Sequence, residues 1–298
     1  MDSSEFKAAI IDHLKREKPE FQLKNFVFHE HLLSPVRNQA EIGACTFVAS
    51  LACIEMHCRK ANVGIPNWID DGYLDIDDAY NNIFIKYDHK IRFHDVESKK
   101  RGTKTSEVLQ YIKEFGVPVT NVPWNPRIRN SYSVFCNEVP RLKLLSYMRV
   151  HPGEAFALAS EFPIIGSLKL PDSFRSKPDK FIFHDDDAEV VENSSSGHAM
   201  VVVGRATFTN GKEHDYFIMQ NSWDETSGYR GFVLISVKIP FNCFFLPAMT
   251  SDTEKLFLDI ERVRVTRDKK RKLDQAESSS QFQSDGQAAS YSRRWSSC

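Results

Sequence analysis

Long apolar runs are missing from this sequence. Nowhere do about 18 consecutive apolar residues occur, the length that crosses a bilayer, so no membrane span is expected. The opening stretch, MDSSEFKAAIIDHLKREKPEF, has neither an apolar h-region nor a small-residue cleavage site, and no secretory signal is expected there. Cysteine is sparse, six in 298 residues, and none stands in a C-x-x-C pair. That excludes a disulfide-built scaffold and leaves a zinc knuckle or thioredoxin motif without support. Net charge is lacking as well. Thirty-nine basic residues against 40 acidic leave −1, whereas a general nucleic-acid binder is strongly basic, so nucleic acid is not an expected partner. No glycine-rich phosphate loop occurs. The acidic runs Asp70–Asp78 and His184-Asp185-Asp186-Asp187 lack calcium-loop or compact ligand spacing and read as solvated faces. No metal and no cofactor are expected.

What is present is ordinary globular material, 41% hydrophobic and 27% charged. Residues 1–33 form a charged leader. Its Phe6, Ala9, Ile10 and Leu14 have helical spacing and predict a short helix packed on the body. The body, 34–263, begins with the Ala- and Leu-rich run CTFVASLACIEMHCRKAN, whose period predicts a buried helix over 45–62. A second helix is predicted over 105–116, capped by Thr105 or Ser106 and ended by Gly116, and a third over 152–163 behind a proline. After residue 163 the runs are short, β-branched and aromatic, with Gly, Asn and Asp between them: IIGSLKL, KFIFH, HAMVVVGRATF, YFIMQNSW, GFVLISVKI. They predict an antiparallel sheet. Helices first and strands second imply an α+β protein of two lobes, about 34–150 and 151–263, with a site in the cleft between them. Residues 264–298 hold eight serines and a net +4, against −5 for the rest, and predict a disordered tail.

Three segments carry chemistry. In SPVRNQAEIGACTF, Gln39 precedes Cys45 by six residues and Cys45 opens a helix, where the dipole and open backbone amides favour a thiolate. In SGHAMVVVGRA, His198 enters an apolar strand. In MQNSWDETSGYRGF, Asn221 ends a strand and Trp223 follows. Alone, His198 reads as a core histidine, Asn221 as a turn residue and Trp223 as core. Together they supply a thiolate nucleophile, an imidazole, an amide that orients it, and an amide donor for an oxyanion. Cys53, Cys58, Cys136 and Cys298 read as packing.

On these residues the sequence resembles the papain family of cysteine peptidases. Ile42-Gly43-Ala44-Cys45 stands beside the family's C-G-[SA]-C signature, Gly197-His198-Ala199-Met200 beside its histidine strand, and Asn221-Ser222-Trp223, with Gly228, Gly231 and Phe232, beside its asparagine loop. The resemblance covers roughly residues 20–250. It implies a two-lobe fold with an active-site cleft, catalysis by Cys45, His198, Asn221 and Gln39, polypeptide substrates, and substrate contacts at Gly102, Trp223 and Ala248. Ala248 would floor the pocket for the residue before the scissile bond, which implies an apolar preference. The sequence departs from the family at Ile42, which replaces a bridging cysteine, at Thr46 after the nucleophile, and at Asp224 and Ser227, which replace a glycine and a tryptophan. These departures keep a second reading in view, a catalytically weak or inactive protein that binds peptides or partners through the same cleft. The missing bridge and the missing signal imply a reducing compartment, cytoplasmic or nuclear. Lys269-Lys270-Arg271-Lys272 could engage an import receptor, or be a solvated patch.

Overall fold

The computed structural model describes residues 2–39, 43–62, 73–86, 103–120, 141–169, 174, 179–188, 197–257, 260 and 264. Two compact units divide at Thr250 and Ser251. The second contributes a short helix over 251–257 among the described residues. All other elements belong to the first unit.

The leader forms both a helix and a strand. Helix α1 (Ser3–Glu17) starts where the Asp2 carboxylate accepts from the amides of Ser4 (2.7 Å) and Glu5 (3.2 Å). Its stripe of Phe6, Ile10 and Leu14 is buried, at the predicted spacing. Strand β1 (Gln22–Phe28) then pairs antiparallel with β8 (Gly197–Thr209), a pairing the sequence pattern does not suggest because Lys24 and Asn25 interrupt the alternation. Gly204 of β8 permits that pairing. A Cβ there would lie 2.1 Å from the Val27 carbonyl oxygen.

Helix α2 (Cys45–Lys60) is buried on every side from Cys45 to Cys58, because it packs on the sheet, chiefly on β8, with other helices behind it. The sheet runs β5 (Ser146–Val150), β11 (Phe241–Ala248), β6 (Ile164–Lys169), β8, β9 (Glu213–Gln220), β10 (Phe232–Ser236), β7 (Ile182–Phe183), with β1 joining the far half of β8. Among the described residues all pairs are antiparallel except β7 with β10. The pattern therefore located the middle of this sheet, but not its parallel pair, β11, or β5, which falls within the span expected to be the helical lobe.

The helical half holds α3 (Ile76–Lys86), α4 (Thr105–Phe115) and a small sheet of β2 (Tyr73–Leu74), β3 (Val117–Thr120) and β4 (Arg141–Leu142). The expected solvated face here is corrected at Asp78, which is buried. Its carboxylate accepts two guanidinium bonds from Arg141, that from Nη1 at 3.0 Å. Asp75 caps α3 by accepting from the Asp78 amide (3.0 Å), and the aspartates favour the positive end of the helix dipole. Helix α4 starts at Thr105, but its cap is Lys104, not Thr105 or Ser106; Glu107 reaches back to the Lys104 amide (3.2 Å). Gly116 ends it at φ +71°. Helix α5 (Pro152–Leu158) begins on its proline. The run 184–187 also differs from a solvated loop. Asp187 accepts from Lys180 (2.6 Å), and His184 Nδ1 lies 2.8 Å from the Tyr216 hydroxyl. No metal-holding cluster occurs among the described residues.

Candidate active site

Cys45 is the first residue of α2, preceded by Ala44, which offers no side-chain cap. The first-turn amides therefore meet no capping oxygen from Ala44, the setting that favours a thiolate. Cys45 is buried, at 8% exposure. One turn further on, Val48 and Ala49 share a small cavity with Ala199, Val201 and Asn221. Packing of α2 on β8 thus brings the start of the helix to the end of the strand that carries His198.

His198 is the second residue of β8, paired with Leu168 of β6, and is buried. Its Nε2 lies 2.8 Å from Oδ1 of Asn221, the residue that follows β9. The orientation of the Asn221 amide follows from its other bonds. The Ser222 amide donates to Oδ1 (2.8 Å), and Nδ2 donates to the Ser227 hydroxyl oxygen (2.9 Å). Oδ1 is therefore the acceptor towards the histidine, and Nε2 carries the proton.

Trp223 covers this pair, its ring centroid 4.8 Å from that of His198, and Phe174 lies edge-on to Trp223 at 5.2 Å. Water is thereby kept from the His198–Asn221 bond, which strengthens it. Gln39 is drawn to the same loop. Its backbone N–H donates to the Ser222 carbonyl (2.8 Å), and the Ser222 hydroxyl donates to Gln39 Oε1. Oε1 is thereby fixed as the end of the side-chain amide that faces Ser222.

The loop is supported from below. Asp224 sits at φ +80°, the conformation that favours glycine. Its carboxylate accepts from the Glu225 amide (2.6 Å) and from Asn38 Nδ2 (3.0 Å). On α2, Glu55 is fully buried and accepts from Arg37 Nη2 (2.6 and 2.8 Å), Ser34 and the Leu74 amide. Arg37 and Gln220 line the small cavity beside Asn221.

Of the residues singled out from the sequence, His198, Asn221, Trp223 and Gln39 meet in one hydrogen-bonded and aromatic cluster, and Cys45 starts the helix packed against it. Ala248 stands apart. It is fully buried at the end of β11, two strands from β8. Gly102 and Lys269, Lys270, Arg271 and Lys272 lie outside the described residues. Sequence reasoning missed Ser222 as the partner of Gln39, and Phe174. The first was signalled by its place after Asn221; the second, isolated between polar residues, carried no signal.

Two comparisons place this arrangement. The architecture is the α+β two-lobe fold of papain-like proteins. Over 76% of this chain it superposes on the bromelain protease of Ananas comosus in complex with the E64 inhibitor, covering 100% of that chain at TM-score 0.55 and 18% identity. It also superposes on a cysteine protease of Carica candamarcensis in complex with E-64, over 76% of this chain and 98% of that one, at TM-score 0.52 and 17% identity. Residues 157–248, which contain His198, Asn221 and Trp223, match the papain family cysteine protease model. No curated protein matches the sequence. The fold is thus that of papain-like proteins, and residues 157–248 are similar to the papain family of cysteine proteases.

Proposed function

We propose that this protein is a cysteine peptidase that hydrolyses peptide bonds with Cys45 as nucleophile, His198 as acid and base, Asn221 as orienting amide and Gln39 as oxyanion donor. The observation that carries the reading is the buried 2.8 Å bond between His198 Nε2 and Asn221 Oδ1; with Nε2 donating there, Nδ1 is the ring nitrogen that would exchange a proton with the thiol. In the first half-reaction the Cys45 sulfur forms a bond to the substrate carbonyl carbon, the C–N bond breaks, and the leaving amine takes the proton held by His198. In the second, water attacks the thioester, gives its proton to His198 and releases the acid, restoring the thiolate and imidazolium. Charge on the carbonyl oxygen meets Gln39 Nε2 and the Cys45 backbone amide.

A peptidyl epoxide or vinyl-sulfone probe tests this. Wild type is expected to gain one adduct, mapped to Cys45, and Cys45→Ala none. Equal labelling of Cys45→Ala, or a wild type that reacts no faster than a free thiol, overturns the assignment. We place the protein in a reducing compartment, cytoplasmic or nuclear. Ile42 supports this, since it carries no sulfur where the family has a bridging cysteine, and so does Lys269-Lys270-Arg271-Lys272 as a contact for an import receptor. Non-reducing mass spectrometry of protein from cells should find Cys243 and Cys136 as thiols. A disulfide at either overturns the placement.

A further inference from the structure

We infer that Ser227 is a positioning residue that acts on the histidine through Asn221, an inference that rests on the peptidase reading above. An asparagine side chain presents an acceptor and a donor of nearly equal shape, and only the acceptor can face a histidine N–H. The orientation must therefore be set by the groups at its other end. Here two groups set it. The Ser222 amide donates to Oδ1 and would repel Nδ2. Ser227 accepts from Nδ2 at 2.9 Å and would meet a flipped Oδ1 with an oxygen unless its own proton turned inward.

Ser227 suits the task because it is held and dry. It is 2% exposed. Its amide donates to the Asp224 carbonyl (3.2 Å), and its carbonyl accepts from the Gly231 amide (2.8 Å), which closes the loop that follows Asn221. The Asn221 amide itself donates to the Gly231 carbonyl (2.8 Å), so the asparagine and its serine hang from one glycine. The left-handed Asp224, whose carboxylate is tied to Asn38, turns the chain so that Ser227 comes back under Asn221. At the very position where this sequence replaces a tryptophan of the papain-like pattern, the shielding group has become a hydrogen-bonding one.

The consequence is electrostatic. With Ser227 in place, Oδ1 stays on Nε2–H and stabilises the imidazolium that accompanies the thiolate. Without it, Nδ2 is a buried donor lacking its acceptor, and only the Ser222 amide is left to hold the orientation. The imidazolium then loses its proton at lower pH.

The test compares wild type, Ser227→Ala and Ser227→Thr in the full chain. Iodoacetamide alkylation of Cys45 is followed across pH, and His198 is titrated by 15N NMR of its ring nitrogens. Ser227→Ala is expected to lower the alkylation rate at its optimum about tenfold, the effect of one hydrogen bond, and to move the alkaline limb and the His198 titration to lower pH. Ser227→Thr, which keeps the oxygen, is expected to recover most of that loss. Wild-type rates and an unmoved His198 titration in Ser227→Ala overturn the proposal, as does a Ser227→Thr as slow as Ser227→Ala. If Ser227→Ala does not fold, Ser227→Cys, similar in size with a weaker acceptor, reads the same two quantities. If wild-type Cys45 shows no enhanced alkylation, the peptidase reading falls, and the His198 titration still decides whether Ser227 acts through Asn221.

Discussion

Asp224 shows how one residue can carry a cost that its side chain offsets. A Cβ at φ +80° is strained, and glycine is the residue without that penalty. The carboxylate compensates through the Glu225 amide and Asn38. Asp224→Ala keeps the strain and loses both bonds, so urea unfolding should show it less stable than Asp224→Gly by about 1 kcal/mol. Equal stability of the two variants would mean the turn relaxes out of the left-handed region. His57 sets a pH dependence. Burial pushes its imidazole down to about 4, Lys60 and His29 add to the lowering, and the bond from Nε2 to the Pro163 carbonyl (2.8 Å) opposes it. The fold therefore holds it neutral. The stability this contributes is complete above an unfolded pKa of about 6.5 and is lost as pH falls from there through about 4, roughly 3 kcal/mol in all. Burial lowers His29 and His184 as well, so all three act in the same direction. Urea unfolding between pH 7 and 4 should fall less steeply in His57→Gln. An unchanged slope would remove His57 from the acid response.

At the scale of elements, the Arg141–Asp78 pair joins β4 to α3 and also ties α4. Arg141 Nε donates to the Phe115 carbonyl (2.9 Å) and Nη2 to the Gly116 carbonyl (2.9 Å), and Tyr111 closes the group. Removing one partner of a buried pair leaves the other charged and dry. Arg141→Met should cost about 3–5 kcal/mol in denaturant unfolding, and Arg141→Met with Asp78→Leu should cost less than Arg141→Met alone. A double variant worse than the single would mean that the pair is worth more than its packing. This cluster illustrates what a chain reading overlooks. Residues Asp75, Asp77 and Asp78 are as acidic as a solvated face, and only Arg141, 63 positions away, makes Asp78 a core residue. Helix α2 was legible in full because its apolar residues recur all round, and β6, β8, β9 and β10 were legible because β-branched runs between turn residues fit little else. Strand β1 was not, since its pairing depends on β8 and on Gly204.

For the molecule as a whole, the leader belongs to the core. Phe6 is fully buried, and its ring lies within 6.4 Å, centroid to centroid, of Phe26, Phe28, Phe181, Tyr229 and Phe232. Glu5 pairs with Arg230 of the asparagine loop (2.8 Å). Phe6→Ala should cost about 3–5 kcal/mol by the lost burial and the cavity it leaves, measured by thermal or urea unfolding. A loss under about 1 kcal/mol would mean that α1 is dispensable to the fold. The sequence by itself determined the types and order of the principal elements and the residues of the candidate site. Periodicity is a local pattern, and the segments around Cys45, His198 and Asn221 are each written within about a dozen residues, although the three residues stand far apart in the chain. Tertiary structure decided which acids are buried, that the leader adds a strand, that Ala248 is buried, and that Ser222 and Ser227 orient the two amides. The Ser227 bond is closed by a turn within one loop; the other outcomes depend on partners tens to hundreds of positions apart, which only the folded chain brings together.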